Sequence, residues 1–136
     1  MIQQAKELLK NKNLTSVLIT PGETKMSNST GIKHLLSWYN ENPNVFRGGS
    51  TADTVVGLAA ASILVFGGIK EVYGEVMSQS AVQLLENQGV SFSYGKVVES
   101  IMNRNGTDIC PMEKICRDES SLEQAFNALR LKICGI

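Results

Sequence analysis

Residues 55–66 read VVGLAAASILVF and are apolar on nearly every side. A helix without a polar face has to be covered by other elements, and its small alanines allow a sheet to pack close against it. A bilayer-spanning helix needs about 20 apolar residues, and this run is shorter. The run therefore predicts a buried helix from about Asp53 to Phe66, in a protein without a membrane span.

Strands and helices alternate on both sides of this helix. Pro21-Gly22 separates two β-rich runs and predicts a hairpin. The predicted strands are residues 14–20, 23–27, 45–47, 69–77 and 90–94, and the predicted helices are residues 2–12, 30–39, 53–66, 78–88, 97–103, 111 onward and 120–133. Strands that alternate with single helices form right-handed crossovers in a partly parallel sheet. We therefore expect residues 1–136 to form one α/β domain, a three-layer α/β/α sandwich whose mixed sheet opens with a hairpin.

The composition excludes several classes of protein. Lys plus Arg and Asp plus Glu both total 13, so a nucleic-acid partner, which usually needs a basic excess, is not expected. The three cysteines all lie beyond residue 109, and their odd number argues against a disulfide framework. The first residues contain no apolar segment typical of a secretory signal. We expect a cytoplasmic protein with reduced thiols and no membrane partner.

Two candidate binding segments follow predicted strands, where ligands of open α/β sheets collect. In the first, Gly49 allows a close backbone approach, while Ser50, Thr51 and Asp53 supply oxygens beside a helix start. Plain helix capping is the alternative for this segment. The second is Glu75, a carboxylate late in a central strand that needs a partner or exposure. A solvated surface position is the alternative there.

The third candidate segment is residues 103–114, which is dense in polar and turn-forming side chains. Cys110 stands just before a helix opened by Pro111, and a helix start favours the thiolate. Arg104, Asn105 and Glu113 are further candidate ligand contacts in this segment. A packed structural thiol is the alternative for Cys110.

Common cofactor motifs are missing from the chain. It contains no C-x-x-C pair for zinc, no phosphate-binding G-x-x-x-x-G-K loop and no dinucleotide-binding G-x-G-x-x-G turn. Its one histidine, His34, lies beside apolar residues on a predicted helix, where packing is a simpler role than catalysis. We therefore expect no bound metal and no cofactor.

The chain resembles a small prokaryotic family of unknown function that is grouped by structure with the cytidine deaminase-like fold. The resemblance spans about residues 14–130 and is carried by TADTVVG (51–57), GGIKEVY (67–73), SYGKVV (93–98) and, most specifically, NRNGTDICPMEK (103–114). It implies the same sandwich with an opening hairpin and later parallel strands.

The resemblance does not extend to the zinc deaminase reaction. Those enzymes need H/C-x-E at the start of the buried helix and P-C-x-x-C at the next strand-to-helix turn. The corresponding stretches here are taken to be Thr51-Ala52-Asp53 and residues 76–80, which contain no Cys or His. We expect no stoichiometric zinc.

Three functions stay open at this point. The first is binding of an unidentified small molecule, with or without catalysis, in which Asp53 is a general base or polar anchor, Cys110 a nucleophile or ligand contact, and Arg104 an anion contact. The second is a non-catalytic module that serves oligomerisation or regulation, with a homo-oligomer as its partner. A metal-dependent hydrolase comes third.

Overall fold

The computed structural model describes residues 1–103 and 105–135, which form five strands and six helices. The strands are β1 (Ser16–Ile19), β2 (Thr24–Ser27), β3 (Ser50–Val56), β4 (Glu71–Ser78) and β5 (Ser91–Val98). The helices are α1 (Ile2–Asn11), α2 (Lys33–Glu41), α3 (Leu58–Phe66), α4 (Gln79–Asn87), α5 (Pro111–Asp118) and α6 (Leu122–Cys134). None of the helices in these ranges combines the length and apolar character that crossing a membrane requires.

The strands form one mixed sheet in the order β2-β1-β3-β4-β5. β1 is antiparallel to both β2 and β3, whereas β3, β4 and β5 are parallel to one another. The parallel strands are connected through α3 and α4, as helical crossovers require. The predicted α/β class, the mixed sheet and the opening hairpin are confirmed.

Helices cover the two faces of the sheet unequally. Successive side chains of a strand point to opposite faces, and β1 shows this clearly. Val17 and Ile19 pack in a small cluster with Ala5 and Leu9 of α1, whereas Leu18 joins the main core. That main core contains residues from α2, α3, α4, α5 and α6. One outer layer is therefore the single helix α1, and the other holds five helices.

The buried helix is present but begins later than predicted. Ala60, Ile63 and Leu64 are buried in α3, whereas the expected helix start at Asp53 lies inside β3. Residues 51–56 are rich in β-branched side chains, which favour a strand, and Gly57 separates this strand from the helix.

The strand predicted at residues 45–47 is also wrong. Val45 and Arg47 donate backbone hydrogen bonds to Asn42 and Asn44, so this segment is a series of turns. Phe46 is fully buried there, and it explains the apolar character that favoured a strand.

The short helix predicted at residues 97–103 does not form. Val97 and Val98 continue the parallel pairing of β5 with Met77 and Ser78 of β4. The described residues of the connection that follows are non-helical, and Met102 and Ile109 form an isolated antiparallel bridge there. This connection leads into α5, and Pro111 stands at the start of that helix as predicted.

Candidate functional site

A cavity of about 680 Å³ lies between the N-terminal end of α3 and the start of α5. Its walls come from the carboxyl half of β3, the first turn of α3, the connection after β5 and the first turn of α5. The segment after the β1–β2 hairpin closes another side through Ser29 and Thr30. Four sequence-predicted residues line this cavity, namely Asp53, Asn105, Cys110 and Glu113.

Asp53 is the most deeply buried polar group of the cavity wall apart from Glu113. Its side chain is 6% exposed, and its carboxylate accepts a 3.0 Å hydrogen bond from Ser16 Oγ. Burial raises the pKa of Asp53 to about 8, although hydrogen bonds from Ser16 and from the backbone N–H groups of Thr54 and Val55 oppose the shift. The carboxyl therefore changes protonation state close to neutral pH.

Glu113 stabilises the N-terminus of α3 from a different helix. Its Oε2 accepts a 2.8 Å hydrogen bond from the Leu58 amide, and its Oε1 accepts one of 3.3 Å from the Ala59 amide. The N-cap residue of α3 is Gly57, which has no side chain that could accept a hydrogen bond from these amides. Burial raises the pKa of Glu113, while the bonds from Ala59 and Leu58 and the charge of Arg117 lower it. A carboxylate at a helix N-terminus is favoured by the free amides and by the helix dipole.

Gly57 makes this arrangement possible because it has no side chain. A Cβ atom at this position would overlap Glu113 Oε1 and would lie 2.7 Å from Ile101 Cγ1. The close approach of α5 to the start of α3 therefore requires glycine at residue 57.

The cysteines differ in their surroundings. Cys110 occupies the N-cap position of α5 and lines the cavity. Cys116, further along α5, is buried, and its pKa is raised to about 12 by burial and by the charge of Glu113, against a hydrogen bond with Ser62. Cys134 accepts a 3.6 Å hydrogen bond from the Asn40 amide, outside the cavity. Cys110 is thus the thiol that a bound molecule could contact.

Gly49, Ser50 and Thr51 lie away from the cavity, because β3 places them at its amino end. The prediction that they lie beside the start of the buried helix is wrong, since Ser50 and Thr51 and the β-branched residues that follow them form a strand. Thr51 Oγ1 donates a 3.0 Å hydrogen bond to the Val17 carbonyl, and a Cβ atom on Gly49 would lie 2.9 Å from Thr20 Cγ2. These contacts hold β3 against β1.

Glu75 also lies elsewhere. It is exposed on β4 and lines a surface groove with Lys6 and Tyr73, beside α1. The cavity lies on the opposite face of the sheet, so Glu75 does not line it. Its exposure fits the alternative interpretation, a solvated surface carboxylate. The predicted anion contact Arg104 lies outside the residues that the structure describes.

The hairpin side of the cavity is not apparent from the sequence. The sequence favours a helix that begins near Thr30, but α2 begins at Lys33 with Ile32 at its N-cap. Gly31 has a φ of 81°, which turns the chain before α2 and leaves Ser29 and Thr30 on the cavity wall. A glycine after two hydroxyl residues is the signal that the sequence offers for this turn.

His34 is packed rather than placed in the cavity. It is buried on α2, its ring meets Trp38 edge-on at 5.2 Å, and burial lowers its pKa to about 4. Within residues 1–103 and 105–135, no group of three or more His, Cys, Asp or Glu side chains is placed to hold a metal ion.

Comparison with known proteins places the chain in a family. The model of the TM1506 domain of unknown function (DUF1893) matches residues 4–133. The crystal structure of the DUF1893 family protein TM1506 from Thermotoga maritima has a TM-score of 0.87 to this chain and 25% sequence identity, and the match covers 96% of this chain and 88% of that one. No curated protein matches the chain. The predicted resemblance to a family of unknown function is thus confirmed, and the chain belongs to the DUF1893 family.

Proposed function

We propose that this protein binds a small organic molecule in the cavity between α3 and α5, with Asp53 as its principal polar contact. The observation that carries the proposal is a carboxyl 6% exposed on the wall of a cavity of about 680 Å³. Binding sites for small molecules are concave, mostly apolar and supplied with a few polar groups. This cavity has that character, since Val55, Ile101 and Met112 lie on its walls.

Proton transfer is the chemistry that the site favours. A general acid or base works best when its pKa lies near the operating pH, and the pKa of Asp53 is about 8. Cys110 lines the same cavity and adds a thiol that a bound molecule would meet. We assign to Asp53 the role of acid–base group and to Cys110 that of a ligand contact.

We further propose that the sheet is a variant of the cytidine deaminase-like fold. An opening hairpin followed by three parallel strands with intervening helices supports this assignment. The start of the buried helix is Gly57-Leu58-Ala59 and not Thr51-Ala52-Asp53, and the next helix starts after Ser78. Neither start has Cys or His, so the proposed function does not include zinc-dependent deamination.

The charge balance and the thiols support two broader proposals. Equal numbers of acidic and basic residues favour a small-molecule partner over nucleic acid. All three cysteines are free, which supports a reducing, cytoplasmic location.

A fragment screen by thermal shift tests the proposed function, because a ligand of the native state raises the apparent stability. Each hit is then located by NMR of methyl-labelled methionines. Met102 and Met112 line the cavity, whereas Met26 lies on β2 and serves as the control. We expect hits that shift the Met102 and Met112 signals and leave the Met26 signal unchanged. Hits that shift the Met26 signal instead, or the absence of any hit, would overturn the proposal and favour a non-catalytic module that assembles with its own copies.

A further inference from the structure

The charges on the cavity wall are unequal. Asp53 and Glu113 both line it, and the described part of the lining contains no Lys, Arg or His. Lys114, which follows Glu113 in the chain, pairs with Asp108 on the surface. Arg117 donates a 2.8 Å hydrogen bond to Ser100 Oγ. Once Asp53 is ionised, the described walls therefore attract a cation and oppose an anion.

The usual site for an anion is already filled. The N-terminus of a helix binds anions through its free amides, and the N-terminus of α3 borders the cavity. The Leu58 and Ala59 amides donate instead to Glu113 of the same chain. A ligand anion would have to displace this carboxylate and then face Asp53.

Asp53 keeps room for a further hydrogen-bond donor. An ionised carboxylate has about four lone-pair sites, and the hydrogen bond from Ser16 Oγ occupies one of them. A cationic donor is preferred at such a site, because hydrogen bonds between charged groups are stronger than neutral ones. The remainder of the ligand would meet the side chains of Ala60, Ile101 and Met112.

We propose that the ligand is a small organic amine, whose protonated nitrogen donates to Asp53 and whose carbon skeleton packs against the apolar walls. This inference rests on the proposed function and names its ligand class. It makes Asp53 the residue that selects for positive charge.

Three probes with the same ring test this selection: benzylamine, benzyl alcohol and benzoate. Their dissociation constants are measured from the methyl signals of Met102 and Met112 at one pH just above the Asp53 pKa of about 8, where most of that carboxyl is ionised. We expect benzylamine to bind about tenfold more tightly than benzyl alcohol, and benzoate to bind more weakly than both. Benzoate binding as tightly as the alcohol, or an amine no tighter than the alcohol, would overturn the inference.

Two variants, each of which replaces one carboxylate by an amide, test whether Asp53 is responsible for the preference for the amine. Asp53→Asn keeps the size of the side chain and removes the charge, so the amine should lose its advantage while benzyl alcohol still binds. Glu75→Gln removes a carboxylate from the α1 side of the sheet and should leave the advantage unchanged. An amine preference that survives in Asp53→Asn would show that Asp53 is not the selecting group. The comparison in the wild-type protein decides the charge preference even if Asp53→Asn does not fold.

The two proposals fail in different ways in this experiment. If benzyl alcohol shifts the cavity methionines and benzylamine binds no better, the amine inference is wrong and the cavity is still a binding site. If none of the three probes shifts Met102 or Met112, the amine inference is wrong, and the fragment screen alone decides on the cavity.

Discussion

Ser16 and Asp53 face each other across β1 and β3, and the serine hydroxyl donates a 3.0 Å hydrogen bond to the aspartate carboxylate. The two residues are separated by 37 positions in the chain. The antiparallel pairing of the opening hairpin with the parallel part of the sheet thus supplies the hydrogen-bond donor for the buried carboxyl of the candidate site.

Asp53→Asn should change the pH dependence of stability. The pKa of Asp53 rises from 3.8 to about 8 on folding, so the native state holds a proton that the unfolded state has lost between these values. The stability that the native state gains by holding this proton is fully present below pH 4. It is lost as the pH rises toward 8 and stays lost above 8. A tenfold change in an acid dissociation constant corresponds to about 1.4 kcal/mol, so the effect amounts to several kcal/mol.

Urea unfolding of both proteins at several pH values between 4 and 9 measures this effect. Other titrating groups, His34 included, contribute about equally to both proteins, so the difference between them isolates Asp53. The variant should gain stability relative to the wild type as the pH rises. A difference that stays constant from pH 4 to pH 9 would show that Asp53 has an ordinary pKa.

Glu113→Ala should destabilise the protein by about 1–3 kcal/mol, because one buried and one part-buried backbone amide of α3 lose their acceptor. Glu113→Gln retains one carbonyl oxygen and should lose less. Glu119→Ala is the control, since Glu119 is exposed at the other end of α5. Equal losses for Glu113→Ala and Glu119→Ala in denaturant unfolding would contradict the capping role.

Gly57→Ala should also be destabilising, because its methyl group would overlap Glu113 Oε1. In a Glu113→Ala background the same substitution should cost less, and a double-mutant cycle measures the coupling. Gly22→Ala is a suitable control, because a Cβ atom there meets no atom within 4 Å. Additive losses for Gly57→Ala and Glu113→Ala would argue against the contact.

Alkylation of the native protein by iodoacetamide should modify Cys110 well before Cys116. The Cys116 thiol is buried and its pKa is raised to about 12, so it has little thiolate at neutral pH. Site-by-site mass spectrometry over time gives the two rates. If Cys116 is modified as fast as Cys110, Cys110 is not a selectively accessible thiol.

Leu64→Ala should cost about 2–5 kcal/mol, because Leu64 is fully buried in the main core. Leu131→Ala is the matched control, since Leu131 is 64% exposed on α6. It should change the free energy of unfolding by less than about 0.5 kcal/mol. A loss below about 1 kcal/mol for Leu64→Ala would place α3 outside the core.

The sequence is informative wherever one physical preference dominates a segment. The apolar run at residues 55–66 predicts a buried helix, and Pro21-Gly22 predicts the hairpin. Prediction from the sequence fails where helix and strand preferences overlap. At residues 51–56, β-branched side chains extend a strand into the expected helix. That difference moves Asp53 from a helix start to the interior of a strand and displaces Gly49, Ser50 and Thr51 to its far end.

The candidate site could be predicted only in part. Polar density and a helix start draw attention to Asp53, Cys110 and Glu113, and all three line one cavity. Glu75 looks equivalent in the sequence, but the face of the sheet on which a side chain lies depends on register. The contact between Glu113 and α3 depends on how α5 packs, and no local sequence pattern around Leu58 predicts this contact.

The hydrogen bond between Leu58 and Glu113 has a consequence for biosynthesis. The two residues are 55 positions apart, so a ribosome that has just completed α3 has yet to make its cap. Until α5 has been made, the amides at the start of α3 lack this acceptor. Domains generally fold as units during synthesis, so this cavity can close only after α5 has been made.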